Sequence, residues 1–170
     1  GVEPVILVEP LKALRKMGAG IRIFGAVGPK ARICMAMEQR PAGIEIDTGP
    51  YPGFPTDLQS VFLAAEAAGS GESRFRETVY EARFEAAMRL AAFGADVSVQ
   101  KDTAIIKGRY PLLPGIAETP DLRGGAALLV AALAADGLSV IADRGHLSRG
   151  YEDIGRDLRK LGADIEEDEL

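Results

Sequence analysis

Two segments of the chain carry apolar residues at helical spacing. In residues 56–68 the apolar side chains recur every three or four positions, and Gly69 follows as a helix end. Residues 120–136 repeat this pattern with Gly137 after them, and the positions that share one face are Leu122, Ala126, Leu129, Val130 and Leu133. Both segments open on an Asp-Leu pair. The pattern predicts two related amphipathic helices.

In three other segments a helical pattern ends at a glycine, and a β-like run follows. The glycines are Gly18, Gly94 and Gly162, and a glycine just past the last helical residue is a frequent helix end. Short apolar runs predict strands at residues 21–24, 33–37, 44–47, 104–107 and 139–142. Helices and strands therefore alternate in a βαβαββ order.

We predict an α/β (α+β) fold in which residues 1–170 form a single domain of about two complete βαβαββ repeats and part of a third. The expected repeats are residues 1–49, which is partial, 50–113 and 114–170. The first repeat lacks its earlier elements, and the chain begins without methionine. We interpret both features as truncation at the N-terminus.

Composition narrows the classes of function. The chain has 170 residues and a formal charge of −5, which argues against a nucleic-acid-binding protein that works through positive charge. It has no apolar run long enough to cross a membrane and no signal peptide, so we expect a cytoplasmic protein without a membrane partner. The single cysteine, Cys34, lies in an apolar run, where we predict a buried and inert thiol. No zinc-binding cluster, phosphate-binding loop or dinucleotide fingerprint is present, so we expect no metal and no cofactor.

Charged residues gather where loops lead into helices, the positions at which free backbone N–H groups favour anions. On local grounds Thr56 or Asp57 is most simply an N-cap, as an Asp or Thr before a helix usually is. Arg123 is less expected, because a cation in the first turn opposes the helix dipole and requires a nearby carboxylate or an anionic ligand. Taken singly, Arg83 and Arg149 read as surface residues. For the only histidine, His146, we favour a hydrogen bond within its loop over catalysis.

Four motifs together resemble those of a known family, and they are more specific evidence than composition. They are "YPGFPTDLQ" (51–59), "ETVYEARF" (77–84), "PDLRGGAALLVAALAADG" (120–137) and "HLSRGYEDIGRDLRKLGADIE" (146–166). In order and spacing they resemble the UDP-N-acetylglucosamine 1-carboxyvinyltransferase family of enolpyruvyl transferases, over essentially the whole chain. The resemblance implies an inside-out α/β barrel domain built from βαβαββ repeats. It also implies transfer of the enolpyruvyl group of phosphoenolpyruvate to the 3′-hydroxyl of UDP-N-acetylglucosamine with release of phosphate, in bacterial peptidoglycan synthesis.

The resemblance assigns a catalytic role to two residues. Asp57 matches the carboxylate that meets the sugar 3′-hydroxyl, and we predict that it removes that proton, which requires a base held within hydrogen-bond reach. Arg149 matches an arginine that holds phosphoenolpyruvate, a task that suits the bidentate guanidinium.

The remaining expected site residues bind substrate. Val79 matches a position that contacts the nucleotide sugar, and Tyr80 replaces the phenylalanine that is usual beside it. Arg83 is expected to shape the same loop. The other expected substrate-binding residues are Thr56, Asp121, Leu122 and Arg123.

The chain also departs from the family, because it resembles only the C-terminal part of such an enzyme. The family's loop cysteine, its proton donor, and its Lys-Asn pair for phosphoenolpyruvate belong to the absent N-terminal catalytic domain, and Cys34 does not match that cysteine. We therefore predict a substrate-binding half that is inactive alone. The alternative is a stand-alone nucleotide-sugar-binding or regulatory module. A truncated domain would also expose apolar surface, which favours self-association.

Overall fold

A computed structural model describes residues 3–25 and 31–168. Their helices are α1 (Val8–Lys16), α2 (Thr56–Ala67), α3 (Glu85–Arg89), α4 (Leu122–Leu133) and α5 (Ile154–Lys160), with short 3₁₀ turns at Pro4–Leu7, Glu81–Phe84, Leu90–Phe93 and Leu147–Arg149. The strands are β1 (Gly20–Phe24), β2 (Arg32–Ala36), β3 (Glu45–Asp47), β4 (Glu72–Arg76), β5 (Asp96–Gln100), β6 (Thr103–Lys107), β7 (Ile116–Glu118) and β8 (Val140–Ala142). The fold is therefore mixed α/β. None of the described helices has the length and apolar character that crossing a membrane would need.

The central sheet has the order β3-β4-β6-β5. β3 and β4 run parallel with α2 between them in sequence, and Asp47 pairs with Arg76 at their carboxyl ends. β4, β6 and β5 are antiparallel neighbours. From β3 to β6 the element order is βαβαββ, the order that the sequence predicts.

A second parallel pair, β7 and β8, repeats the arrangement of β3 and β4, with α4 between its strands in sequence. Glu118 pairs with Ala142 at the carboxyl ends of this pair. Helices α2 and α4 pack against each other and cover a continuous apolar core. Its largest fully buried hydrophobic side chains are Phe75, Phe93, Leu63, Leu90, Ile106, Leu112 and Leu128.

The helix ends at Gly18, Gly94 and Gly162 and the five strands predicted from apolar runs are confirmed, whereas α4 ends at Leu133, before the predicted Gly137. Gly18, Gly94 and Gly162 all have positive φ, the left-handed conformation that glycine adopts without steric cost. No strand follows Gly162 within the described residues, however, because residues 163–168 have no regular structure. β4 and β7 are absent from the predicted strands. β4 has the sequence Glu-Ser-Arg-Phe-Arg, in which only one residue is apolar.

Cys34 is exposed, so the prediction of a buried thiol is wrong. The apolar run around it forms β2, which pairs with β1 alone in a two-stranded antiparallel sheet. Residues on both faces of this sheet remain accessible, Phe24 and Met35 among them. An apolar run predicts a strand, but its burial depends on whether another layer covers that strand.

Candidate functional site

Seven of the residues expected at the site line one cleft of about 300 Å³, and they are Asp57, Tyr80, Arg83, Asp121, Leu122, Arg123 and Arg149. The cleft lies where the N-termini of α2 and α4 meet the 3₁₀ turns that follow β4 and β8. Three guanidinium groups and two carboxylates face it, so its formal charge is positive although the whole chain carries −5. A locally positive concave surface favours an anionic ligand.

The start of α2 is fixed by the core. Phe54 is buried and packs edge-on against Phe62, with ring centroids 5.1 Å apart. Pro55 is the N-cap residue and provides no side-chain cap, so the prediction that Thr56 or Asp57 caps the helix is wrong. Since neither side chain is used for capping, both are free to make tertiary contacts. The Pro-rich approach thus holds Asp57 in the first turn and leaves its carboxylate for the cleft.

Asp57 lies between two arginines. Arg123 donates a hydrogen bond of 2.8 Å to Asp57 Oδ2, and Arg83 donates one of 3.3 Å to Oδ1. The hydrogen bond from Arg123 lowers the pKa of the Asp57 carboxyl below its ordinary value; partial burial acts in the opposite direction, and the charges of Arg123 and Arg83 add to the lowering. Asp57 is therefore ionised near neutral pH. The anion that Arg123 was expected to require is this carboxylate.

Arg83 is the most enclosed of the three arginines that line the cleft. Its side chain is 10% exposed, and its guanidinium lies over the Tyr80 ring at 4.6 Å from the centroid, a cation–π contact. Nε of Arg83 also donates a long hydrogen bond of 3.4 Å to Oγ1 of Thr56. These contacts hold Arg83 against α2, so the interpretation of Arg83 as an isolated surface residue is wrong.

Arg149 lies across the cleft on the 3₁₀ turn Leu147–Arg149. It is exposed and forms no ion pair within the part of the chain that the structure describes. Gly150 beside it packs on Leu122, since a Cβ built on Gly150 would lie 2.6 Å from Leu122 Cδ2. This close approach places the arginine-bearing turn against the N-terminus of α4. A guanidinium without a protein carboxylate is available to an anionic ligand.

Asp121 lines the cleft as the N-cap of α4. Its Oδ1 accepts a hydrogen bond of 2.7 Å from the backbone N–H of Gly124. Capping satisfies one of the free N–H groups of the helix start and fixes the direction in which Arg123 leaves α4. Asp121 therefore has the structural role that is usual for an Asp before a helix, and its contact with substrate stays a prediction.

Thr56 and Val79, although expected at the site, do not line the cleft itself. The hydroxyl of Thr56 donates to Oε2 of Glu77 at 2.9 Å, and the backbone N–H of Val79 donates to Oε1 at 2.8 Å. The Val79 side chain is exposed beside the cleft residue Tyr80. Both residues therefore meet at Glu77, directly behind the cleft.

Glu77 is the residue that sequence reasoning missed. It follows β4 directly, is only 3% exposed, and accepts two further hydrogen bonds, from the Thr48 hydroxyl at 2.7 Å and from the Tyr80 N–H at 3.0 Å. Burial acts to raise the pKa of Glu77, but the four hydrogen bonds together hold it below its ordinary value. No local signal pointed to Glu77, because β4, the strand that it follows, is itself absent from the predicted strands.

The His146 ring forms a hydrogen bond, as predicted, but with a residue outside its own loop. Its Nδ1 lies 3.1 Å from both Oγ1 and the backbone oxygen of Thr119. The Thr119 hydroxyl in turn donates to Asp143 at 2.6 Å. His146 therefore belongs to the hydrogen-bond network that follows β7 and β8. No group of three or more metal-ligating side chains occurs within residues 3–25 and 31–168.

The chain, with its mixed α/β fold and arginine-rich cleft, belongs to the EPSP synthase family. The family model described as EPSP synthase (3-phosphoshikimate 1-carboxyvinyltransferase) matches residues 6–158.

Within that family the similar curated proteins are named UDP-N-acetylglucosamine 1-carboxyvinyltransferase. The protein from Thermotoga petrophila is 39% identical over 165 residues, which cover 97% of this chain and 38% of that protein. One from Legionella pneumophila is 41% identical over 165 residues, covering 97% of this chain and 32% of that protein. The crystal structure of the enolpyruvyl transferase NikO from Streptomyces tendae superposes with a TM-score of 0.78 at 33% identity, over 93% of this chain and 36% of that chain. The chain thus spans well under half the length of the relatives that it matches.

Proposed function

We propose that this chain is the C-terminal substrate-binding part of an enzyme that transfers the enolpyruvyl group of phosphoenolpyruvate to the 3′-hydroxyl of UDP-N-acetylglucosamine. The observation that carries the proposal is the placement of Asp57 between Arg83 and Arg123 in a cleft that also contains Arg149, which forms no ion pair with a described residue. The names of the curated relatives support the choice of substrates. The arrangement provides a base and several cations, which is what the reaction requires.

Asp57 is proposed to accept the proton of the sugar 3′-hydroxyl as that oxygen attacks C2 of phosphoenolpyruvate. The addition forms a tetrahedral intermediate once C3 has gained a proton, and elimination of phosphate then regenerates the double bond as C3 loses a proton. The arginines that flank Asp57 keep it ionised, so it can accept a proton at neutral pH. They also lower its basicity, and a substrate anion that draws Arg123 away would raise it.

The anionic substrate is proposed to bind at Arg149 and Arg123. A guanidinium donates two parallel hydrogen bonds to a phosphate or carboxylate, and Arg149 has no competing carboxylate among the described residues. Val79 and Tyr80 are proposed to contact the nucleotide sugar from the exposed turn after Glu77. Phosphoenolpyruvate and the nucleotide would therefore approach Asp57 from two sides.

The proposed site is incomplete in this chain, because the rest of the enzyme, its N-terminal catalytic domain by resemblance, supplies the groups that donate a proton to C3 and enclose the substrates. Active sites that form by closure of two domains bind weakly when one domain is missing. We therefore expect the chain alone to catalyse no turnover. An enzyme of this class acts in peptidoglycan synthesis in the bacterial cytoplasm, and that setting is part of the proposal.

Complementation tests the proposal. The part of the Thermotoga petrophila relative that this chain does not match is added in trans, and phosphate release is measured with both substrates. We expect release with the wild-type chain, at least a hundredfold less with Asp57→Asn, and unchanged release with Asp102→Asn, which alters an exposed carboxylate on the β5–β6 turn. Full activity of Asp57→Asn would remove Asp57 from the role of base.

Calorimetric titration of UDP-N-acetylglucosamine into the chain alone distinguishes this proposal from the alternative of a stand-alone nucleotide-sugar-binding or regulatory module. Weak or undetectable binding is expected for half of a site. Tight binding would contradict the inactive-half proposal and would favour a stand-alone nucleotide-sugar-binding module.

A further inference from the structure

We propose that Glu77 is a positioning residue that holds Arg83 against Asp57. Glu77 does not line the cleft, and no role was predicted for it. Its carboxylate is buried behind the cleft and reaches Arg83 by two routes, one through the side chain of Thr56 and one through the backbone of Tyr80. The proposal rests on the proposed function only for its effect on turnover.

The first route is a chain of directed hydrogen bonds. The Thr56 hydroxyl donates to Glu77 Oε2 at 2.9 Å, so its oxygen lone pairs face away from Glu77. Arg83 Nε donates to that oxygen at 3.4 Å, and Nη2 of the same guanidinium donates to Asp57 at 3.3 Å. The ionised Glu77 thus sets the direction of the Thr56 hydroxyl, and the hydroxyl then presents an acceptor to Arg83.

The second route passes through the turn that carries Arg83. Glu77 Oε1 accepts the backbone N–H groups of Val79 and Tyr80 at 2.8 and 3.0 Å. The oxygen of Tyr80 accepts the backbone N–H of Arg83 at 3.1 Å, and the Tyr80 ring lies under the Arg83 guanidinium. Because Glu77 holds the Tyr80 end of this contact directly, a loss of its negative charge would loosen the turn.

The geometry argues for positioning in addition to simple support of the loop. Glu77 is 3% exposed and has no direct salt bridge with a described residue, yet a buried charge is stable only if it is fully hydrogen-bonded. Arg83, with 10% of its side chain exposed, is the cation that this network reaches. The buried anion, the hydroxyl and the cation therefore form one connected unit that ends at Asp57.

Three variants of the chain test the proposal, with nuclear magnetic resonance as the measurement. Glu77→Gln removes the charge, Thr56→Val removes only the hydroxyl, and Thr56→Ser keeps the hydroxyl. The readouts are the pKa of Asp57, from carboxyl ¹³C shifts, and the shift and exchange rate of the Arg83 Nε–H signal. Glu85→Gln, on the exposed α3 pair with Arg89, is the matched control.

We expect Glu77→Gln and Thr56→Val to raise the pKa of Asp57 and to speed exchange of the Arg83 Nε–H severalfold, whereas Thr56→Ser and Glu85→Gln leave both unchanged. Thr56→Val keeps the contacts of Glu77 with Thr48, Val79 and Tyr80, so a purely structural role of Glu77 predicts no change in that variant. Unchanged signals in folded Thr56→Val and Glu77→Gln would overturn the proposal. If Glu77→Gln does not fold, the two Thr56 variants decide alone.

Turnover in the complemented enzyme separates this proposal from the proposed function. If the wild-type chain complements, Glu77→Gln is expected to lower kcat tenfold or more with a smaller change in KM. If the wild-type chain fails to complement, the proposed function fails, while the resonance measurements still decide the role of Glu77.

Discussion

The two parallel strand pairs end in the same hydrogen-bond pattern but lie in different surroundings. After β3 and β4, the Thr48 hydroxyl donates to Glu77, which also accepts two backbone N–H groups of the following turn. After β7 and β8, the Thr119 hydroxyl donates to Asp143, which accepts three, from the N–H groups of residues 145–147. In each case a 3₁₀ turn with a cleft arginine follows, Arg83 in the first and Arg149 in the second.

The difference between the two pairs lies in what surrounds the carboxylate. Glu77 is 3% exposed behind the cleft, whereas Asp143 is exposed. At the start of α2, Thr56 links Glu77 to its arginine; at the start of α4 the residue before the Asp-Leu pair is Pro120, which has no hydroxyl. The same local pattern therefore holds Arg83 firmly against a carboxylate and leaves Arg149 open to ligand.

Removal of a core side chain from each strand pair tests this contrast with the largest expected effect. Phe75 on β4 is completely buried, and we expect Phe75→Ala to lower the free energy of unfolding by about 3–5 kcal/mol. Ile141 on β8 is partly buried, and Ile141→Ala should cost about 1–2 kcal/mol. Urea denaturation followed by circular dichroism measures both. If Phe75→Ala does not fold, Phe75→Leu serves in its place, and equal losses at the two sites would contradict the contrast.

The helices of the two units differ as well, because α2 buries a carboxylic acid and α4 buries only small and apolar residues. Burial raises the pKa of Glu66 to about 6 from its ordinary value of 4.5, and a hydrogen bond from Ser73 opposes this only partly. A group whose pKa is raised on folding stabilises the folded state fully below pH 4.5, and this contribution is lost as pH rises through 6.

The full shift is worth about 2 kcal/mol, and we therefore expect the free energy of unfolding to increase by about 1 kcal/mol between pH 7.5 and pH 5, in addition to the contributions of other groups. Glu66→Gln should remove this increase, whereas Glu72→Gln, at an exposed position on β4, should retain it. Urea denaturation at a series of pH values gives the comparison. An unchanged pH dependence in Glu66→Gln would show that Glu66 is not the group that titrates.

Local sequence patterns predicted the features of this fold that depend on local physics. The two related helices and the helix-ending glycines Gly18, Gly94 and Gly162 follow from spacing and backbone conformation, and the structure confirms them. The face predicted for α4 is wrong, because only Ala126 of its five predicted positions is buried. Seven of the site residues that the motif resemblance assigned line one cleft in the structure. Their chemical roles stay predictions.

The missed features depend on contacts between distant segments. Glu77 acquires its two hydroxyl partners only when distant segments pack together, since Thr48 lies 29 and Thr56 lies 21 residues away from it in sequence. The Arg123 that holds Asp57 lies 66 residues away, so neither helix start reveals the ion pair by itself. Cys34 was misassigned because burial of a strand depends on the layer above it, and no local pattern reports that layer.

The two helix starts offer a smaller and more local test. Asp121 caps α4 through Gly124, so Asp121→Ala should cost about 1 kcal/mol of stability. Asp57 caps nothing and forms only partly exposed ion pairs, so Asp57→Ala should cost about 0.5 kcal/mol or less. Thermal and urea denaturation of both variants measure the difference. A larger loss from Asp57→Ala would mean that Asp57 stabilises the start of α2 in a way that its contacts do not show.

The electrostatic contrast between Asp57's two arginines gives the smallest effect on stability and the sharpest measurement. Arg123 lies 2.8 Å from the carboxylate and Arg83 lies 3.3 Å from it, and the hydrogen bond from Arg123 is the largest cause of the lowered pKa of Asp57. Carboxyl ¹³C titration should therefore show a larger rise of that pKa in Arg123→Gln than in Arg83→Gln, while the pKa of Asp102, which is paired with Arg76, stays unchanged in both.

The sign of the linked stability follows from the lowered pKa. Ionised Asp57 stabilises the folded state above its unfolded pKa, and this stabilisation is lost as pH falls through the folded pKa. Arg123→Gln should raise the folded pKa and so narrow the pH range between the two pKa values over which the stabilisation is lost. The change at pH 7 should stay below about 1 kcal/mol, because half of the Asp57 side chain is exposed to water. A larger rise from Arg83→Gln would reverse the order of the two arginines. It would then place the stronger hold on Asp57 on the Glu77 side of the cleft.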